Sequence, residues 1–169
     1  LACRLSDLQS KVFDLYLGLG LGRGDVVVCE APTTMRDPRA AVVVEQVRGI
    51  FEVLARACGA VVPGRINPRT VQRELLKLGG KQAARSEVKA AAAAAVARLF
   101  GARLRSLGFH VEGDQLQHHQ DIVDAILLGQ LATVRVCQAL RAGQPLGEAF
   151  AERSVARRFT RTRLRRAAA

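Results

Sequence analysis

Apolar positions along the chain follow two periods. Over 3–17, Leu5, Leu8, Val12, Leu15 and Leu19 recur near helical spacing, which predicts an amphipathic helix. GLGLGRG (18–24) then serves as a connector. A dinucleotide loop would follow a strand and open a helix, and this run does the reverse. DVVVCE (25–30) is a short β-branched run of the kind buried on both faces of a sheet. Asp37-Pro38 is a helix start, and the stripe Val43, Val47, Ile50, Leu54, widened by Val44, Phe51 and Ala55, predicts a helix over 38–58. Glu45, Arg48, Glu52 and Arg56 mark its solvated face. AVVPGRI (60–66) is a second strand that Pro63 confines to an edge or ends early. Asn67-Pro68 starts a helix over 68–78, GGKQAA breaks it, and SEVKAAAAAAVARLF predicts another over 86–100. Residues 101–117 read as loop, and a helix over 120–141 closes the fold. This order predicts an α/β layer fold. Two strands make a poor sheet, so further strands are expected upstream of residue 1.

Composition narrows the partner more than the fold. The 169 residues are one domain's worth, 49% hydrophobic, with an aliphatic core since aromatics are only 4%. A net charge of +11 points to a polyanion, with nucleic acid ahead of an acidic membrane. The four cysteines form no CxxC pair, which suits reduced thiols in a cytosolic protein. No signal-peptide pattern opens the chain, and the periodic reading finds no membrane span. Residues 153–169 form a separate arginine-rich tail with seven arginines and no acid.

Three carboxylates are candidates for chemistry. Glu30 ends a buried strand, where ligands sit in open α/β sheets; the alternative is a solvated strand-end charge. Asp121 and Asp124 in HHQDIVDAILLG are i, i+3 neighbours that could share a cation, and Mg²⁺ suits such oxygen ligands. They could equally be acids favoured at a helix N-terminus. His118 and His119 precede them as solvated imidazoles or as ligands. Arg69, Arg73, Lys77, Lys81, Arg85 and Lys89 form a basic run with few compensating acids, a phosphate track in prospect.

The ordered segments VVVCE, DPRAAVVVEQVRGIFEVLARACGA, RINPRTVQRELLKLGGKQAARSEVKAAAAAAVARLF and QDIVDAILLGQL resemble RuvC-type Holliday junction resolvases, members of the RNase H-like nuclease superfamily. The resemblance covers roughly residues 3–140. It implies an RNase H-like mixed sheet flanked by helices on both faces over residues 1–152, with the N-terminal strands missing from this chain. It also implies a crossover junction endodeoxyribonuclease that resolves four-way DNA junctions in recombination and repair, with Mg²⁺, or Mn²⁺ in its place, held by Glu30, Asp121 and Asp124. A homodimer through the 38–58 helix, branch-migration helicase partners, no membrane, and a cytoplasmic, nucleoid-associated location go with it. Arg85 falls near a DNA-facing lysine of the family, and Gln72 lies closest to a second. The family's fourth acid, on a first strand, has no counterpart in Asp7 or Asp25, so the chain as given is expected not to cleave. Two alternatives stand beside this one: a non-catalytic nucleic-acid-binding module, and an RNA-processing RNase H-like nuclease.

Overall fold

The computed structural model describes residues 2–32, 37–79, 84–112 and 115–151. The elements in chain order are α1 (Ala2–Gly18), β1 (Cys29–Glu30), α2 (Pro38–Ala57), β2 (Arg65–Ile66), α3 (Pro68–Glu74), α4 (Arg85–Ser106), a 3₁₀ turn (Gln115–His119), α5 (Gln120–Ala142) and α6 (Leu146–Phe150).

The expected RNase H-like mixed sheet is not present. The described residues are 71% helical, and their only sheet is the parallel pair β1–β2. The apolar runs do pair, but in two pieces. Val26 bridges Val61, and Cys29 and Glu30 face Arg65 and Ile66. The offset between partners grows by one residue from the first piece to the second, so an extra residue bulges out around Pro63 and Gly64. Pro63 has no N–H to donate, which breaks the ladder there. With one neighbour per strand and an interruption in the middle, the pairing is held to a few rungs. Gly64 is needed for a second reason: a Cβ there would stand 3.1 Å from the Phe150 Cβ, so α6 approaches the strand closely.

The pair is packed from both sides. Val27 and Val62 join Val12, Tyr16, Leu54, Ala55 and Ala60 in a cluster between α1 and α2. Val28 and Ile66 turn the other way, into the larger cluster of α3, α4, α5 and α6. That alternation is the period-2 pattern of a strand buried on both faces. Ile66, Leu116, Leu127, Val96 and Val123 are the largest fully buried side chains. On α4 the buried Ala92 and Ala93 let α5 come close, and on α5 the stripe Val123, Leu127, Leu131 faces inward. The single tyrosine, Tyr16, donates to the Phe51 carbonyl (3.3 Å) and meets the Phe51 ring edge-on. Burial pushes its phenol up to about 12, with Cys29 and Cys58 adding to the shift. All four cysteines are free.

Helix starts follow the sequence closely. Asp37 and Asn67 each accept the backbone N–H two residues on (2.9 Å), with proline at the first helical position. Helix ends differ more. The helix expected over 68–78 stops at Glu74, and Lys77 turns the chain through φ 57°. The segment 101–106, expected as loop, continues α4 to Ser106. Gly101 there is no breaker; it is buried, with room for Val111 and the Arg105 side chain against it. The face of α2 expected to be solvated is half-buried where it meets β2. Arg65 donates to Glu52 (2.6 and 3.2 Å) and to Glu45 (2.6 Å), and Glu45 also takes Arg48 (2.6 Å). Finally, Gln115–Ala142 is long and apolar enough to cross a membrane by length and composition, a segment the periodic reading passed over. Its inward stripe packs in the core, as the central helix of a globular domain also does.

Candidate functional site

β1 ends on Glu30, which pairs with Ile66 and therefore emerges beside the start of α3. The first turns of α5 carry Asp121 and Asp124, and the first turns of α4 carry Arg85 and Lys89. All five line one cleft of about 420 Å³, floored by Val71, Leu76, Ala92, Leu127 and Leu128. Three carboxylates, one from β1 and two from α5, thus line the same cleft as two cations, without three of them closing on one point. Gln72 lines the same cleft.

Desolvation dominates the electrostatics at Glu30. Partial burial, first, pushes the Glu30 carboxyl above its ordinary value; the Arg48 guanidinium pulls it back, and the Asp124 carboxylate adds a smaller upward push. Gln120 stands between core and cleft. Its Nε2 donates to Asp124 Oδ1 (2.8 Å), while its Oε1 is buried without a protein donor. A buried acceptor left unpaired is costly.

These groups suit some cations better than others. Among the described residues no three Asp, Glu, His or Cys side chains close on one point, so a closed protein cage is absent. Mg²⁺ is commonly held by one or two carboxylates, with water and substrate phosphate completing the shell. Glu30 and Asp124 on one cleft, with Arg85 and Lys89 beside them, fit that open mode.

The basic run does not form one track. Pro68, Val71 and Gln72 turn one face of α3 to the carboxylate cleft; Arg69 and Arg73 turn another, and Lys77 past the helix end joins them, into a separate groove against α5 and α6. Arg85 and Lys89 belong to the cleft, and Lys81 lies outside the described residues, as does the tail at 153–169. His118 and His119 are exposed on the 3₁₀ turn and do not line the cleft; the His119 ring meets Phe109 edge-on at 5.6 Å.

Sequence reasoning missed three residues. Gln120 has no signal beyond standing four residues before Asp124, the i, i+4 spacing that lets the two meet. Arg48 sits on the face read as solvated. Arg135, inside an apolar run, lines the groove beside α3 and holds Glu74 (3.5 Å). Comparison with protein-family models, with curated proteins and with solved structures finds no match for this chain.

Proposed function

We propose that the chain belongs to a Mg²⁺-dependent endonuclease whose scissile phosphodiester lies in the cleft of Glu30, Asp121 and Asp124. The observation that carries this reading is the meeting of Glu30 with the two α5 aspartates beside Arg85 and Lys89. Glu30 and Asp124 would hold the cation, with Asp121 next to them. When bound, Mg²⁺ supplies a water of lowered pKa and compensates charge on the phosphoryl oxygens. The protein's own part is positioning. Gln120 fixes the Asp124 carboxylate, Arg85 and Lys89 attract and orient the phosphate, and the apolar floor of α4 and α5 limits water. Branched DNA is the proposed substrate, supported by the segment order shared with RuvC-type resolvases and by the +11 charge. Exposed Val42 and Val53 on α2 support pairing of two copies through that helix.

A second reading, a nucleic-acid-binding module without hydrolysis, is favoured by the lack of a three-ligand group among the described residues. One experiment separates the two. A labelled four-way junction is incubated with the full-length polypeptide, with Mg²⁺ or with chelator. Mg²⁺-dependent cleavage that Glu30→Gln abolishes, with junction binding kept, supports the nuclease. Binding without cleavage supports the module, cleavage of structured RNA alone moves the substrate to RNA, and no binding to either removes both readings.

A further inference from the structure

The groove on the far side of α3 has no role in hydrolysis, yet it is the larger depression, about 1280 Å³, between α3 and the α5–α6 end of the fold. Its charged lining is Arg69, Arg73, Lys77 and Arg135 against Glu74 and Glu148. Glu74 is engaged with Arg73 (3.2 Å) and Arg135 (3.5 Å), and Gln144 donates to Glu148 (3.4 Å). Arg135 is further held over the Phe150 ring, 5.9 Å from its centroid. Arg69 and Lys77 form no ion pair among the described residues. The groove therefore has a braced cationic wall and two uncommitted cations, without the acids that make the neighbouring cleft reactive.

Lys77 adds an independent observation. It is the only non-glycine with positive φ among the described residues, at 57°. A left-handed residue just past a helix end is usually glycine, because any Cβ there is strained. Glycines are at hand in the sequence, at Gly79 and Gly80, but not at this position. A lysine kept in a glycine's conformation forgoes stability and places an unpaired ammonium on the groove.

We infer that this groove is a second phosphate-binding site, which takes the backbone of a nucleic-acid arm that does not pass through the carboxylate cleft. It rests on the reading of the chain as a nucleic-acid enzyme. α3 then divides two strands or arms: its Gln72 face borders the one that meets the acids, and its Arg69–Arg73–Lys77 face holds the other. A branched substrate presents two such arms at once, and a linear duplex only one.

The test is Lys77→Gly in the full chain, which removes the strain and the charge together. Thermal unfolding should move up by about 2–4 °C. Affinity for a fluorescent four-way junction should fall roughly fivefold or more at moderate salt, and the salt dependence of binding should lose about one counterion. Binding of a short linear duplex should change less, and Mn²⁺ binding by the carboxylate cleft should not change. Arg69→Gln should repeat the loss of junction affinity without the rise in melting temperature. Stabilisation with unchanged junction affinity and salt slope would overturn the groove and leave the cleft proposal standing. A Lys77→Gly protein that melts lower would overturn the strain argument. Wild-type protein that binds no nucleic acid in a salt-dependent way would sink the nuclease reading itself.

Discussion

Arg65 lets the link between fold and cleft be tested in numbers. It stands one residue before Ile66, the ladder partner of Glu30, and its side chain is 26% exposed. Its Nε and Nη2 reach both oxygens of Glu52, whose side chain is only 13% exposed, and its Nη1 reaches Glu45, which is 40% exposed. Replacing Arg65 by methionine leaves the Glu52 carboxylate half-enclosed and unpaired. Breaking a fully buried pair costs about 3–5 kcal/mol, and partial exposure here lowers that to about 2–3 kcal/mol. A double-mutant cycle with Glu52→Gln should give a coupling of about 1–2 kcal/mol, while the cycle with Glu45→Gln should give a clearly smaller one, since solvent screens the more exposed partner. The chain has no tryptophan and is mostly helical, so urea unfolding is best followed by far-UV circular dichroism. The Glu45 contribution also has a pH signature. Hydrogen bonds from Arg65 and Arg48 hold its carboxyl below the ordinary value, so its contribution is present above that value and lost as pH falls through the folded one. Equal couplings for Glu52 and Glu45, or a Glu52 coupling below about 0.5 kcal/mol, would refute the idea that this ion pair fastens α2 to the strand pair.

Two further outcomes follow from groups whose ionisation the fold shifts. Tyr16 is the only tyrosine, so the ultraviolet absorbance of phenolate reports it alone; its midpoint should lie near 12 rather than about 10. The folded state keeps that proton longer than the unfolded one, so stability should decline from the ordinary phenol value up to about 12, and a midpoint near 10 in folded protein would contradict the packing against Phe51. Glu30 is shifted upward as well, so folding opposes its charge and the fold loses stability as pH rises from the ordinary carboxyl value through the folded one. Glu30→Gln should therefore stabilise the metal-free protein at neutral pH and, on the nuclease reading, abolish cleavage; a destabilised variant would contradict the desolvation of Glu30.

Helix starts were legible because they are local. Asp37-Pro38 and Asn67-Pro68 carry their own caps, and the stripes on α2 and α5 repeat often enough to be read without the rest of the molecule. The sheet was not legible, because its extent depends on neighbours. Val26–Val28 has the composition of a central strand, but how far it pairs is set by Pro63, by the bulge beside it and by the number of strands available. The solvated reading of Glu45, Arg48 and Glu52 failed for a related reason: only the fold brings Arg65 onto them. At the site, residue types were legible and grouping was not. Glu30, Asp121 and Asp124 do line one cleft, but the basic run that looked continuous is divided by α3: i, i+4 spacing sends Arg69 and Arg73 away from the face that Val71 and Gln72 present, and Lys77 joins them from the left-handed turn past the helix end.

The placement of Glu30 also explains where this molecule spends stability. A carboxylate at the end of a long, fully paired strand would be fixed by the ladder; here the ladder around it is two rungs, Cys29 with Arg65 and Glu30 with Ile66, continued by the Ala31 N–H to the Ile66 carbonyl (2.8 Å). What holds the strand end in register is therefore mostly side-chain work: Ile66 fully buried below it, Arg65 tied to α2, and Phe150 closing against Gly64. On the other wall, Gln120 fixes Asp124 while leaving its own oxygen unpaired. Partial burial of Glu30 and the unmet Gln120 acceptor both disfavour the ligand-free state, and on the proposed reading a cation at Glu30 and Asp124 would offset the first cost. On that reading, metal binding and fold stability would be coupled. Adding Mg²⁺ or Mn²⁺ should raise the melting temperature of the wild-type chain, and Asp124→Asn, which removes a proposed ligand, should remove most of that response.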